Sequence, residues 1–173
     1  MSGDERTPDE APPRLLAVVD IDGVLADVRH RLHHVRSRPK DWDSFFAAAP
    51  DDPVLEQGLD TVRKLAEVFD VVYVSGRPEH CRADTESWFA QHGVPDGRLL
   101  LRRRGDRRPA RLVKVEILDR LSREQRVAVL VDDDPMVLDA AREAGYDVLP
   151  ADRMPAGADE DALRTAQETE GRT

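Results

Sequence analysis

Apolar positions along this chain fall into two kinds of run, and their alternation predicts the architecture. Short Val- and Leu-rich blocks, Leu15–Val19, Val71–Val74, Leu99–Leu101, Val127–Val131 and Asp147–Leu149, read as buried strands of a parallel sheet covered on both faces. Between them the apolar positions recur at helical spacing. Val54, Leu55, Leu59, Val62, Leu65, Ala66 and Phe69 form one amphipathic stripe. Further helices are predicted from Pro78 to about His92 with Gly93 as the stop, from about Arg111 to Leu121, and from Pro135 to Ala144 before Gly145. The stretch after the first strand differs. Leu25, Val28, Leu32 and Val35 predict a short helix ending before Pro39. Asp41 is placed to cap a second one, Trp42–Ala48, with Trp42, Phe45 and Phe46 on its apolar side. Pro50–Pro53 reads as a turn. Strands alternating with helices give an α/β fold, a doubly wound parallel sheet spanning residues 14–150. Residues 1–13 read as a disordered tail, and 151–173 as a flexible acidic one with a frayed helix near 159–168.

Composition narrows this picture. The chain of 173 residues is expected to be one domain, 40% hydrophobic and 35% charged. A net charge of −9 disfavours non-specific attraction to nucleic acid or to an anionic membrane. The charge is uneven, however: from Arg98 to Lys114 there are eight basic residues and one acid, Asp106. The single cysteine, Cys81, rules out an intrachain disulfide and fits a reducing, cytoplasmic setting. No apolar run is long enough for a membrane span and no secretory signal is recognisable, so neither a membrane nor an obligate protein partner is expected.

Three strands end in groups with chemical potential. The first runs into Asp20 and Asp22, which alternation places on one side with Ile21 on the other, followed by Gly23 at a sharp turn. The second ends at Ser75-Gly76-Arg77, and the fourth at Asp132-Asp133-Asp134. In a parallel sheet these ends share one edge, where ligands bind. Two like charges as close as Asp20 and Asp22 need a cation between them or a proton, and Mg²⁺ is the simplest answer. Asp20, Asp22, Asp132 and Asp133 are the candidate metal residues, with a backbone carbonyl near Asp22 as a further ligand. Ser75, Gly76 and Lys114 could donate to the oxygens of a phosphoryl group. One carboxylate could then act as nucleophile and the other as general acid and base. Each element also has a plain structural reading. Ser75-Gly76 could be only a strand-to-helix turn, Lys114 a solvated cation, and the Asp132–Asp134 run a helix cap, a role that suits Asp134. His30, His33 and His34 read as a solvated helix face rather than a metal cluster, since nothing nearby completes a ligand set.

Asp20-Ile-Asp-Gly-Val-Leu25, Ser75, Lys114 and Asp132-Asp133 resemble, in order and spacing, the four motifs of the haloacid dehalogenase (HAD) superfamily. The resemblance covers about Leu15 to Leu149. It implies a Rossmann-like core, Mg²⁺, Asp20 as nucleophile, Asp22 as general acid/base and an aspartyl-phosphate intermediate. It also places the segment at about 29–50 where HAD enzymes carry a small cap or flap. A closer resemblance rests on Val72-Tyr-Val-Ser-Gly-Arg77, Arg102, Gly105-Asp106 and Val113-Lys-Val-Glu-Ile-Leu118, which look like the 3′-phosphatase domain of polynucleotide kinase-phosphatase. That likeness implies Arg77 and Arg102 at the substrate phosphate. The expected function is a Mg²⁺-dependent phosphomonoester hydrolase whose substrate is a nucleotide or a nucleic-acid 3′-phosphate. A small-metabolite phosphatase or a phosphotransferase is the alternative. A catalytically silent binding protein of the same fold is disfavoured, because Asp20 and Asp22 are both present.

Overall fold

Alternation within the strands decides which side chains each face of the sheet presents. The structure, a computed structural model, describes residues 12–36, 38–151, 165 and 168–169. Most of the predicted frayed helix and nearly all of both predicted tails lie outside the described residues, though Thr165, Glu168 and Thr169 are helical. Five strands form: β1 (Leu16–Val19), β2 (Asp70–Pro78), β3 (Arg98–Arg102), β4 (Val127–Asp132) and β5 (Val148–Pro150). They pair in parallel in the order β3-β2-β1-β4-β5. The helices are α1 (His33–Arg36), α2 (Trp42–Ala47), α3 (Glu56–Val68), α4 (Arg82–His92), α5 (Ala110–Glu124) and α6 (Pro135–Glu143).

On one face Val19, Val71, Tyr73 and Val131 pack with Leu59, Val62 and Trp88 of α3 and α4. On the other, Leu16, Val18, Val72, Val74 and Leu130 pack with Leu118, Leu121, Val137 and Ala141 of α5 and α6. Each large aliphatic side chain buried in this way stabilises the fold by about 1.5–3 kcal/mol. Successive strands run outward from β1 to β3, and then the order reverses to β4 on the other side of β1. The crevice between the carboxyl ends of β1 and β4 is therefore the switch point, where the flanking helices diverge and leave room for a ligand.

The insert after β1 has its own small core of Val28, Leu32, Val35, Trp42, Phe45, Phe46 and Cys81. Its first predicted helix is shorter than the spacing suggested. The N–H groups of Val24, Leu25 and Ala26 all converge on the Ile21 carbonyl in a tight turn. Helical structure begins only with a 3-10 turn at Arg29–Arg31 and then α1. Asp41 caps α2 as expected, accepting from the Ser44 N–H at 2.9 Å. β2 is longer than its apolar run, because the chain stays extended past Ser75 until Pro78 lies opposite Arg102 on β3. Among the described residues no helix is long and apolar enough to cross a membrane.

Candidate active site

Asp20 follows β1 directly, and its N–H donates to the Val131 carbonyl at 2.9 Å, which ties it to β4. Asp132 ends β4 and is fully buried, with one oxygen accepting from the Asp134 N–H at 2.9 Å. Carboxylate oxygens of Asp20, Asp132 and Asp133 all lie within 4.8 Å of one another. Gly23 makes room for this: its φ is +81°, and a Cβ there would meet an Asp133 oxygen at 2.2 Å. Lys114 reaches in from α5, its Nζ 2.5 Å from Asp132 Oδ2 and 3.2 Å from Asp20 Oδ2. Three carboxylates against one ammonium leave the group negative. Burial pushes the Asp20 carboxyl well above its ordinary pKa; Lys114 opposes this, while Asp132, Asp133 and Asp22 add to it. For Lys114 burial works against the charge, but Asp132 and Asp20 outweigh it and hold the ammonium protonated.

A small cavity is lined by Asp20, Asp22, Ser75, Gly76, Lys114 and Asp133. The side chains singled out at the three strand ends thus do converge. Asp134 caps α6, accepting from the Met136 N–H at 2.9 Å. An all-oxygen cluster of net negative charge is the donor set that a hard cation such as Mg²⁺ takes. The residues present fit that ion.

Asp22 lines the same cavity but is not one of the three clustered carboxylates. Its Oδ1 accepts from Arg77 Nη2 at 2.6 Å, Arg77 Nε at 2.9 Å and Arg31 Nη2 at 3.0 Å. Its Oδ2 is buried without a partner. Burial would raise the Asp22 pKa, but the charges of Arg77 and Arg31 outweigh it and bring it to about 2. The Arg77 guanidinium, expected at a substrate phosphate, bonds Asp22, Asp52 at 2.8 Å and Thr85 at 3.3 Å, and is 1% exposed. Arg102 is buried too, with Nη1 donating to the Arg108 carbonyl at 3.0 Å, and it does not line the small cavity.

Residues 15–153 match the family described as the polynucleotide kinase PNKP phosphatase domain. The chain belongs to this family. Among solved structures it is similar to a chain of the Pnkp1/Rnl/Hen1 RNA repair complex (20% identity, TM-score 0.66), covering 90% of this chain and 48% of that one. It thus spans about half the length of that relative. It is also similar to a haloacid dehalogenase-like hydrolase from Streptococcus pneumoniae (14% identity, TM-score 0.52), with 85% and 89% covered. A third is a HAD family enzyme from Bacteroides thetaiotaomicron in complex with magnesium and inorganic phosphate (12% identity, TM-score 0.50), with 84% and 98% covered. No curated protein matches the chain in sequence. The fold is that of the HAD hydrolases, and the PNKP phosphatase family places the chain among their phosphatases.

Two residues of this PNKP-type site went unread in the sequence. Arg31, fully buried, donates to both oxygens of Asp52 at 2.7 and 2.8 Å and stacks 4.2 Å from the centroid of the Phe45 ring. Asp52 in turn accepts from Arg77, pairs with His30 at 2.7 Å, and has its carbonyl held by Trp88 Nε1 at 2.8 Å. A signal for Arg31 existed: it lies three residues after Val28 and four before Val35, on the apolar stripe itself. Asp52 gave no such signal, since a Pro-Asp-Asp-Pro turn reads as solvent-exposed.

Proposed function

We propose that this protein is a Mg²⁺-dependent phosphomonoesterase that removes a 3′-phosphate from a nucleic-acid end through an aspartyl-phosphate on Asp20. The observation that carries the reading is the pairing of two unlike carboxylates in one cavity. Asp20 sits in the negative cluster with Asp132 and Asp133, and Asp22 sits apart, ionised, with one oxygen unpaired. A magnesium ion would be held by Asp20, Asp132 and Asp133 and would supply charge neutralisation for the phosphoryl oxygens. A HAD neighbour crystallised with magnesium and phosphate supports that choice.

Asp20 attacks phosphorus as the bond to the sugar oxygen breaks, leaving the phosphoryl group on the Asp20 carboxylate. Lys114, the Ser75 hydroxyl and the Gly76 N–H donate to its non-bridging oxygens. The leaving oxygen takes a proton from Asp22; afterwards ionised Asp22 takes one from the water that attacks the acyl-phosphate, so protons balance over the cycle. The two guanidiniums favour the ionised, water-activating form of Asp22. The arriving phosphate dianion is a like charge beside it, which raises its hold on the proton needed in the first half. Family membership supports the nucleic-acid substrate, and the basic run after β3 is consistent with it. The test is hydrolysis of 3′-phosphorylated oligonucleotides, nucleotides and sugar phosphates with Mg²⁺ or EDTA. Turnover confined to sugar phosphates would replace this reading with the small-metabolite one, and full activity in EDTA would remove the metal.

A further inference from the structure

A second, larger cavity of about 730 Å³ adjoins the small one, and Gly76 lines both. It is far too large for a phosphate alone and falls within the range of pockets that take whole organic ligands. Its cationic lining comes from Arg102 at the end of β3 and from Arg103, Arg104 and Arg107 of the loop that follows. Its apolar and aromatic lining comes from Phe46 of α2 and from Pro78 and His80 after β2. His80 is exposed and stands edge-on to Phe46, with ring centroids 6.4 Å apart.

The loop sorts its arginines into two groups. Arg108 is bound to Asp106 through Nε at 3.1 Å and Nη2 at 2.8 Å, and also to Glu116. Arg102 is turned onto the loop's own carbonyls, those of Asp106 and Arg108. These two brace the loop. Arg103, Arg104 and Arg107 are exposed, line the cavity and form no ion pair among the described residues. The loop's one acid, Asp106, is taken up by Arg108, so three exposed arginines without an ion pair among the described residues line the cavity on a backbone already pinned in place. Two acids from outside the loop, Asp43 and Glu79, also line the cavity, and Glu79 is paired with Arg82. The Asp43 carboxylate repels phosphates toward the arginines and leaves the aromatic lining for a base. Cationic track and ring faces together are what a single strand requires. A base inside a duplex has both faces covered by its neighbours and cannot meet His80.

We propose that this cavity seats the nucleotides preceding the 3′-terminal phosphate, and that Arg103, Arg104 and Arg107 select a single-stranded polynucleotide over a mononucleotide. This rests on the phosphatase reading above and names the side chains that set its preference for length and strandedness.

The experiment compares the wild-type protein with an Arg103→Gln/Arg104→Gln/Arg107→Gln variant on 3′-phosphorylated single strands of one, three and six nucleotides and on a blunt duplex. Ribose and deoxyribose versions run side by side, and a length gain with either supports the proposal. For the wild type, kcat/KM rises about tenfold or more from one to three nucleotides. In the variant the ratio of hexanucleotide to mononucleotide kcat/KM falls to near one. Binding of a 5′-fluorescein hexanucleotide without Mg²⁺, followed by anisotropy, gives a readout free of turnover: the salt slope drops by about 2 for three lost contacts. An Arg-to-Lys triple variant, which keeps the charge, retains the slope and guards against misfolding. Equal kcat/KM at all lengths, a duplex hydrolysed as well as the single strand, or an unchanged ratio in the Gln variant overturns the proposal. If p-nitrophenyl phosphate and every strand resist hydrolysis, it is the phosphatase reading that fails, and the anisotropy slope still decides the cavity.

Discussion

Asp20 and Asp22 stand two residues apart and belong to opposite kinds of charge cluster. Asp20 shares a crevice with Asp132 and Asp133, with the Lys114 ammonium set against them, and its burial raises the Asp20 pKa. Asp22 joins Arg31, Asp52 and Arg77 in a group of two acids and two guanidiniums, nearly every polar atom of which is bonded. The first cluster is unfinished without a cation. The second is closed within the protein save for Asp22 Oδ2, which is buried without a partner. Unbalanced charge marks where a ligand enters; balanced charge marks what keeps a catalytic group aimed.

The sharpest way to break this comparison is Asp20→Asn. Turnover is expected to fall by about four orders of magnitude or more, since an amide does not attack phosphorus. Stability should move the other way. The folded pKa of Asp20 lies above its unfolded value, so the ionised carboxylate costs stability above that folded pKa and costs nothing below the unfolded one. At neutral pH without metal the variant should therefore melt no lower than wild type, and higher in low salt. A lower Tm would show that the cluster is already balanced.

Arg31→Met attacks the second cluster. It leaves buried Asp52 and Asp22 short of a partner, and a broken buried pair typically costs about 3–5 kcal/mol. Urea unfolding should register that loss. Arg31→Lys should restore only part of it, because an ammonium cannot reproduce the forked contact to both oxygens of Asp52. Loss of less than about 1 kcal/mol in the Met variant would demote the network to an ordinary surface pairing.

Mg²⁺ distinguishes the clusters directly. Saturation at about a hundred times Kd should stabilise the wild type by about 2.7 kcal/mol, through binding to the folded state alone. Asp132→Asn and Asp133→Asn should each diminish that gain, whereas Arg31→Met should keep it. A gain that survives both acid substitutions would move the ion elsewhere.

Acid separates them more gently. Asp22 has a folded pKa of about 2, below its unfolded value of about 3.9, so its contribution to stability is present above that value and is lost as pH falls toward 2. Urea melts from pH 5 to 2 should fall more steeply for wild type than for Asp22→Asn, and parallel curves would contradict the assignment.

Much of this was legible in the chain. Strands and helices follow from local runs, because a buried strand needs contiguous apolar residues and a half-buried helix needs them at its own period, and both patterns are written in neighbouring letters. The strand-end groups Asp20, Asp22, Ser75 and Asp132 were legible for the same reason: each directly follows such a run, and parallel pairing brings the run ends together. Tertiary structure alone decided the partners. Arg77 meets Asp22 across 55 positions and Arg31 meets Asp52 across 21, and the motif that carries Arg77 says nothing of the acids around it. Periodicity shows which face of an element is buried, but a guanidinium's partner depends on where separate segments come to lie. In a low-dielectric interior it is that meeting of opposite charges, not the identity of either residue, that fixes whether an arginine binds a ligand or holds a catalytic carboxylate in place.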